Sequence, residues 1–155
     1  MPVDNRAKTP VDNSNKIVEI ARTWLGTKFH YTGRVKKNGI NNGGVDCIGL
    51  IIKVGEEIDF CANGKNIINY DYLDYSRYPD HKEMRNFLDS HFKKITKMEL
   101  SFGDIIYLNF QNMLEHVAIF SDIGMIHCYV EAGKVVEHRI NTYWQEKIVG
   151  YYRFE

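Results

Sequence analysis

The chain has 155 residues, 44% apolar and 13% aromatic, which suits one domain with its own core and does not match the profile of disorder. Lys plus Arg number 20 and Asp plus Glu number 20, so bulk charge points to no nucleic-acid or membrane partner. Three cysteines, Cys47, Cys61 and Cys128, cannot all pair within one chain and show no C-x-x-C spacing, which argues against a disulfide framework or zinc ribbon and for reduced thiols. The first residues form no apolar leader and no run of about eighteen apolar residues occurs, so the expectation is a cytoplasmic product with no membrane span.

Residues 1–13 are polar and are expected to form a flexible arm ahead of a single domain over 14–155. Ile17, Ile20, Ala21, Trp24 and Leu25 recur at helical spacing, with Asn13 or Ser14 to cap the start and Gly26 to end it. Residues 27–45 hold four glycines and several Asn and basic residues, and read as a long loop. Asp46 suits the N-cap of a helix from Cys47 to about Phe60, and Ile48, Leu50, Ile51 and Ile52 make that helix apolar on most sides, hence central. Residues 61–79 read as irregular, and Asp80 to about Phe92 as a surface helix with Met84, Phe87, Leu88 and Phe92 turned inward. From residue 100 the period falls to two, and strands are expected over 104–109, 116–121, 125–131, 134–140 and 148–154. Helices followed by an antiparallel meander of about five strands indicate an α+β fold.

The chemistry concentrates on Cys47, His116 and His127. A cysteine at a helix N-terminus is favoured as thiolate by the helix dipole and by a nearby imidazolium. His116 would take the thiol proton and return it to a leaving amine, and His127 would orient the His116 ring. If the loop after Phe120 or Ser121 is even in length, His116 and His127 share one sheet face, with Val117, Ile119, Ile126 and Cys128 on the other. The Cys47 backbone N–H is a natural oxyanion donor. The same three residues also resemble a catalytic zinc set, which stands as an alternative.

The remaining candidates carry blander readings. Cys61 and Cys128 read as core or half-buried thiols, and His30, His81, His91 and His138 as surface or loop residues, with His30 notable for lying on the loop before Cys47. Arg34, Lys36 and Lys37 form either a solvated basic cluster or a dock for substrate carboxylates. Tyr70, Tyr72, Tyr75 and Tyr78 form either a groove wall or the packing of an irregular segment.

In order along the chain stand Gly26-Thr27-Lys28-Phe29, Asp46-Cys47-Ile48-Gly49-Leu50, Gly103-Asp104-Ile105-Ile106, His116-Val117-Ala118-Ile119 and Ile126-His127. Over residues 14–154 this resembles the NlpC-type cell-wall peptidases, a papain-like family whose pattern runs G-x-P-Y, D-C-x-G-L, G-D, H-V-x-I and a second histidine. The resemblance implies a papain-like fold, hydrolysis of peptidoglycan stem peptides after γ-D-glutamate, no cofactor, and catalysis by Cys47, His116 and His127, with Asp46 beside the nucleophile. The long 27–45 loop, the Tyr75-Ser76-Arg77-Tyr78-Pro79 segment and the Gly150-Tyr151-Tyr152-Arg153-Phe154 ending are similar to members associated with phage and gene-transfer-agent tails, which implies tail-protein partners and delivery to the wall by a particle. The chain departs from the pattern where Lys28-Phe29 replaces Pro-Tyr. Either Tyr31 supplies the family hydroxyl or that role is missing, and a missing role leaves room for a structural tail component of the same fold. A thioester-forming acyltransferase or amidase is the other alternative.

Overall fold

The computed structural model describes residues 10–76, 81–110 and 114–155. Of the arm expected over residues 1–13, residues 1–9 lie outside the described residues and the rest is helical. The first helix, α1 (Pro10–Arg22), begins earlier than the expected residue 14. Proline suits a first helical turn, where its missing N–H leaves no bond unmade. Ile17, Val18, Ala21 and Trp24 are buried, and the chain leaves the helix through Gly26, whose φ of 86° is left-handed.

The 27–45 segment contains a small antiparallel ladder of β1 (Arg34–Val35) and β2 (Gly44–Val45). It leads straight into α2 (Cys47–Glu57). Ile48, Leu50, Ile51, Ile52 and Val54 are buried, so this helix is covered on most sides as its composition requires. Each such side chain contributes about 2 kcal/mol by leaving water.

Of the expected irregular stretch 61–79, residues 61–70 are more ordered than expected. A short hairpin of β3 (Cys61–Ala62) and β4 (Lys65–Asn66) precedes a 3₁₀ turn over Ile67–Tyr70. The helix α3 (His81–His91) matches the inward stripe, with Met84, Phe87 and Leu88 buried.

Then come β5 (Lys93–Ile95), β6 (Ile105–Asn109), β7 (Glu115–Phe120), β8 (Met125–Tyr129), β9 (Lys134–His138), the short helix α4 (Thr142–Gln145) and β10 (Ile148–Arg153). They form one antiparallel sheet in the order β5-β10-β6-β7-β8-β9, with six strands where about five were expected. The additional strand, β5, reads Lys-Lys-Ile, too short and too basic to show alternation, and pairs only with β10 at the sheet edge.

Each face of the sheet has its own core. Ile105, Tyr107, Val117, Ile119, Ile126 and Cys128 pack with the helices, while Ile106, Leu108, Ala118, Met125 and Tyr151 pack with Trp144 of α4. The Gly103-Asp104 pair is structural: Gly103 turns the chain at φ 90°, and Asp104 accepts two bonds from the Arg153 guanidinium, at 2.9 and 3.0 Å, fixing β6 to β10.

One feature of the sheet matters for the site. β6 and β7 register over five residue pairs, and so do β8 and β9. β7 and β8 register only at Ile119↔Ile126 and Phe120↔Met125, next to their four-residue loop, although both strands run further. The start of α2 meets this opening: the Cys128 thiol donates to the Val45 carbonyl at 3.1 Å.

Candidate active site

Asp46 holds the entry to α2. Its Oδ1 accepts from the Gly49 N–H at 2.8 Å, the N-cap bond, and from Arg34 Nη1 at 3.0 Å. Its Oδ2 accepts from the Thr32 N–H at 2.9 Å and from the Tyr75 hydroxyl. The Arg34 side chain is largely buried. It also reaches both Asp71 oxygens at 3.2 Å, the Gly33 carbonyl at 2.8 Å and the Tyr75 oxygen at 3.1 Å. It is therefore a girder beneath the site, with its donors already committed. Gly49 leaves room for this pair: a Cβ there would lie 2.5 Å from Arg34 Nη1 and 2.9 Å from Asp46 Oδ1. The glycine of Asp-Cys-Ile-Gly-Leu thus answers a packing demand.

Cys47 opens α2 and is half-buried. The register places His116 and His127 on the same sheet face, as the even loop required, and it is the face of Trp144 rather than the one on which α2 packs. His116 Nε2 lies 2.6 Å from His127 Nδ1. His127 is fully buried, its ring 5.4 Å from the near-parallel Tyr129 ring and 5.2 Å from the edge-on Trp144. His127 Nε2 in turn lies 2.8 Å from His138 Nε2, and His138 Nδ1 lies 2.8 Å from the Arg139 carbonyl. His138 is therefore no bystander at the surface. Its place was legible in principle, since an even turn after Tyr129 sets Val136 and His138 on the face of His127. Among the described residues, no group of three His, Cys, Asp or Glu side chains is arranged to hold a metal ion.

The electrostatics correct one expectation. Burial, and then the Asp46 charge, push the Cys47 thiol up to about 12; hydrogen bonding by the Val117 and Ile48 backbone acts the other way and is outweighed. Burial lowers His116 to about 4, and His127 is lowered for the same reason. The pair rests as neutral thiol and neutral imidazole, because desolvation exceeds the help of the helix terminus.

Cys47 and His116 both border a cavity of about 780 Å³. Phe29, Tyr31, Tyr72 and Tyr75 give it an aromatic wall, and Glu115 and Glu131 bring carboxylates to it. Tyr31 is at the cavity, but its hydroxyl donates to the Tyr75 carbonyl. The hydroxyl closest in bonding to the nucleophile's helix cap is that of Tyr75, which burial and the Asp46 charge keep protonated. Tyr78 lies outside the described residues. His30 turns its Nδ1 to the Tyr31 carbonyl, and His91 packs on Tyr70 and Phe87.

The chain is similar in fold to an NlpC/P60 family protein from Bacillus cereus, at 17% identity and TM-score 0.61, over 91% of this chain and 40% of that one. It is similar to the NlpC/P60 domain of the peptidoglycan hydrolase SagA, at 19% identity and TM-score 0.58, over 90% and 97% of the two chains. It is also similar to the peptidoglycan hydrolase RipB of Mycobacterium tuberculosis, at 16% identity and TM-score 0.59, over 99% and 68%. No curated protein matches the chain. The model of the NlpC/P60 family matches residues 26–153, which include every residue of the site, and the chain belongs to that family.

Proposed function

We propose that the protein is a cysteine peptidase acting on peptidoglycan stem peptides. The observation that carries this reading is that Cys47, at a helix N-terminus, and His116, backed by His127, open into one cavity. His116 turns Nε2 to His127, so Nδ1 is the nitrogen left to serve the thiol. Sγ attacks the amide carbon as its proton passes to His116 Nδ1. The oxyanion forms beside the Cys47 N–H, one of the first amides of α2 that helix geometry leaves without a partner in the helix. The C–N bond then breaks, His116 protonates the leaving amine, and a thioester remains on Cys47. Water attacks that thioester, gives a proton to His116, and the proton returns to the departing sulfur.

The bond cut follows γ-D-glutamate and precedes a diamino acid. The resemblance in sequence supports this, and Glu115 and Glu131 at the cavity are the groups that would attract a substrate ammonium. Association with a phage-like tail particle that carries the enzyme from the cytoplasm to the wall rests on the sequence resemblance alone. Incubation with muropeptides of defined stem composition, followed by mass spectrometry, tests the reading. Products split after γ-D-glutamate support it. Intact muropeptides of every composition would leave the structural-component alternative as the better account.

A further inference from the structure

The three rings His116, His127 and His138 form a line that ends on a backbone carbonyl, and that ending has a chemical consequence. A carbonyl oxygen only accepts. The Arg139 carbonyl, 2.8 Å from His138 Nδ1, therefore requires a proton on that nitrogen. A neutral His138 then has a bare Nε2, and the contact at 2.8 Å is made only if His127 Nε2 donates. His127 in turn has a bare Nδ1, so at 2.6 Å it is His116 Nε2 that donates. The remaining nitrogen, His116 Nδ1, carries a lone pair. Each proton in the line follows from the one before it, starting at the carbonyl.

We infer that His138 is a positioning residue that fixes the tautomer of His127, and through it holds His116 with its basic nitrogen free for Cys47. This rests on the reading of His116 as the general base. The alternative that His138 excludes is specific. Without an acceptor at His127 Nε2, His127 can carry its proton on Nδ1 and donate to His116 Nε2. The His116 proton then sits on Nδ1, and the ring cannot accept one from the thiol. A wrong tautomer of this kind is a severe defect in a general base, because the geometry looks intact while the proton sits on the wrong atom. The packing supports a fixed role: Trp144 lies 5.2 Å from the His127 ring and 5.3 Å from the His138 ring, holding both. Burial lowers His116 and His127, which keeps both rings neutral.

The test has one arm that needs no activity. Long-range proton–nitrogen NMR on the histidine-labelled wild-type protein at pH 7 should show protons on Nε2 of His116, Nε2 of His127 and Nδ1 of His138. A proton on Nδ1 of His127 would overturn the inference. In the second arm His138→Leu removes the acceptor and His138→Gln restores one through its side-chain carbonyl. On a muropeptide substrate, His138→Leu should lower kcat about tenfold or more with KM within about twofold, and His138→Gln should recover most of the loss. Unchanged kcat in His138→Leu, or equal losses in both variants, would overturn it. If His138→Leu does not fold, the wild-type spectrum and His138→Gln still decide. The expected tautomers in a protein that cleaves no wall peptide would condemn the peptidase reading and leave the order of the rings standing.

Discussion

Replacing Asp46 by Asn separates two roles of that carboxylate. Asparagine is as good an N-cap as aspartate, so the Gly49 N–H bond survives and α2 keeps its start. The charge is lost, and with it the attraction to Arg34 at 3.0 Å, between side chains only 7% and 12% exposed. The new amide nitrogen also replaces an oxygen that takes the Thr32 N–H and the Tyr75 hydroxyl, setting a donor against donors. Breaking one side of a buried ion pair costs about 3–5 kcal/mol, and the surviving Asp71 contacts place this case at the low end, about 3 kcal/mol. For a chain of this length that lowers Tm by about 6–12 °C. The same change removes a charge that raises the Cys47 thiol. Thermal melts should show the lower Tm, while the pH dependence of Cys47 alkylation by iodoacetamide should shift its midpoint below that of wild type. Stability within about 0.5 kcal/mol of wild type would refute the account of the Arg34–Asp46 girder. An alkylation midpoint that stays put or rises would refute the account of the thiol.

Three other outcomes follow. Burial lowers His116 to about 4 from an ordinary 6.5, so the unfolded chain binds more protons between those values; the stability tied to this ring is complete above about 6.5 and falls by about 2 kcal/mol by pH 5, and since His127 is lowered in the same way, urea titrations should find the acid loss reduced but not abolished in His116→Ala. Gly49→Ala should destabilise by about 1–3 kcal/mol despite alanine's better helix propensity, since the added methyl meets Arg34 and Asp46; a neutral or stabilising result in denaturant melts would count against the packing. Tyr31→Phe should cost about 1 kcal/mol of stability and leave turnover within about threefold, because its hydroxyl serves the Tyr75 carbonyl, whereas Tyr75→Phe should reduce turnover more; the reverse order would make Tyr31 the family's hydroxyl.

What the sequence disclosed follows the range of the forces involved. The buried helix behind Cys47 and the four-strand meander were legible because long apolar stretches keep one period. The shared face of His116 and His127 followed from loop parity, a local rule. β5 escaped notice because a three-residue edge strand with two lysines owes its place to β10. α4 is a single turn set by Asn141 capping Trp144, too short to show a period. Arg34, expected either in a solvated basic cluster or at a dock for substrate carboxylates, is neither, because nothing nearby in sequence announces Asp46, Asp71 and Tyr75 as its partners. The pairing of Tyr75 with Asp46, 29 residues apart, and the burial that governs Cys47 are tertiary effects. His138, expected at the surface or in a loop, is the intermediate case: the parity of the β8–β9 turn is enough to set it on the face of His127, and only the closing of the sheet brings the rings to 2.8 Å.

The central claim is that an acyl group passes through Cys47, and the direct measurement is mass spectrometry of the protein quenched in acid during turnover of a muropeptide. The expected result is a mass increment equal to the amino-terminal fragment of the stem peptide less one water on the peptide containing Cys47, removed by hydroxylamine and absent in Cys47→Ala, which should also release no product. Turnover that persists in Cys47→Ala, with no adduct on Cys47 in the wild-type protein, would contradict it.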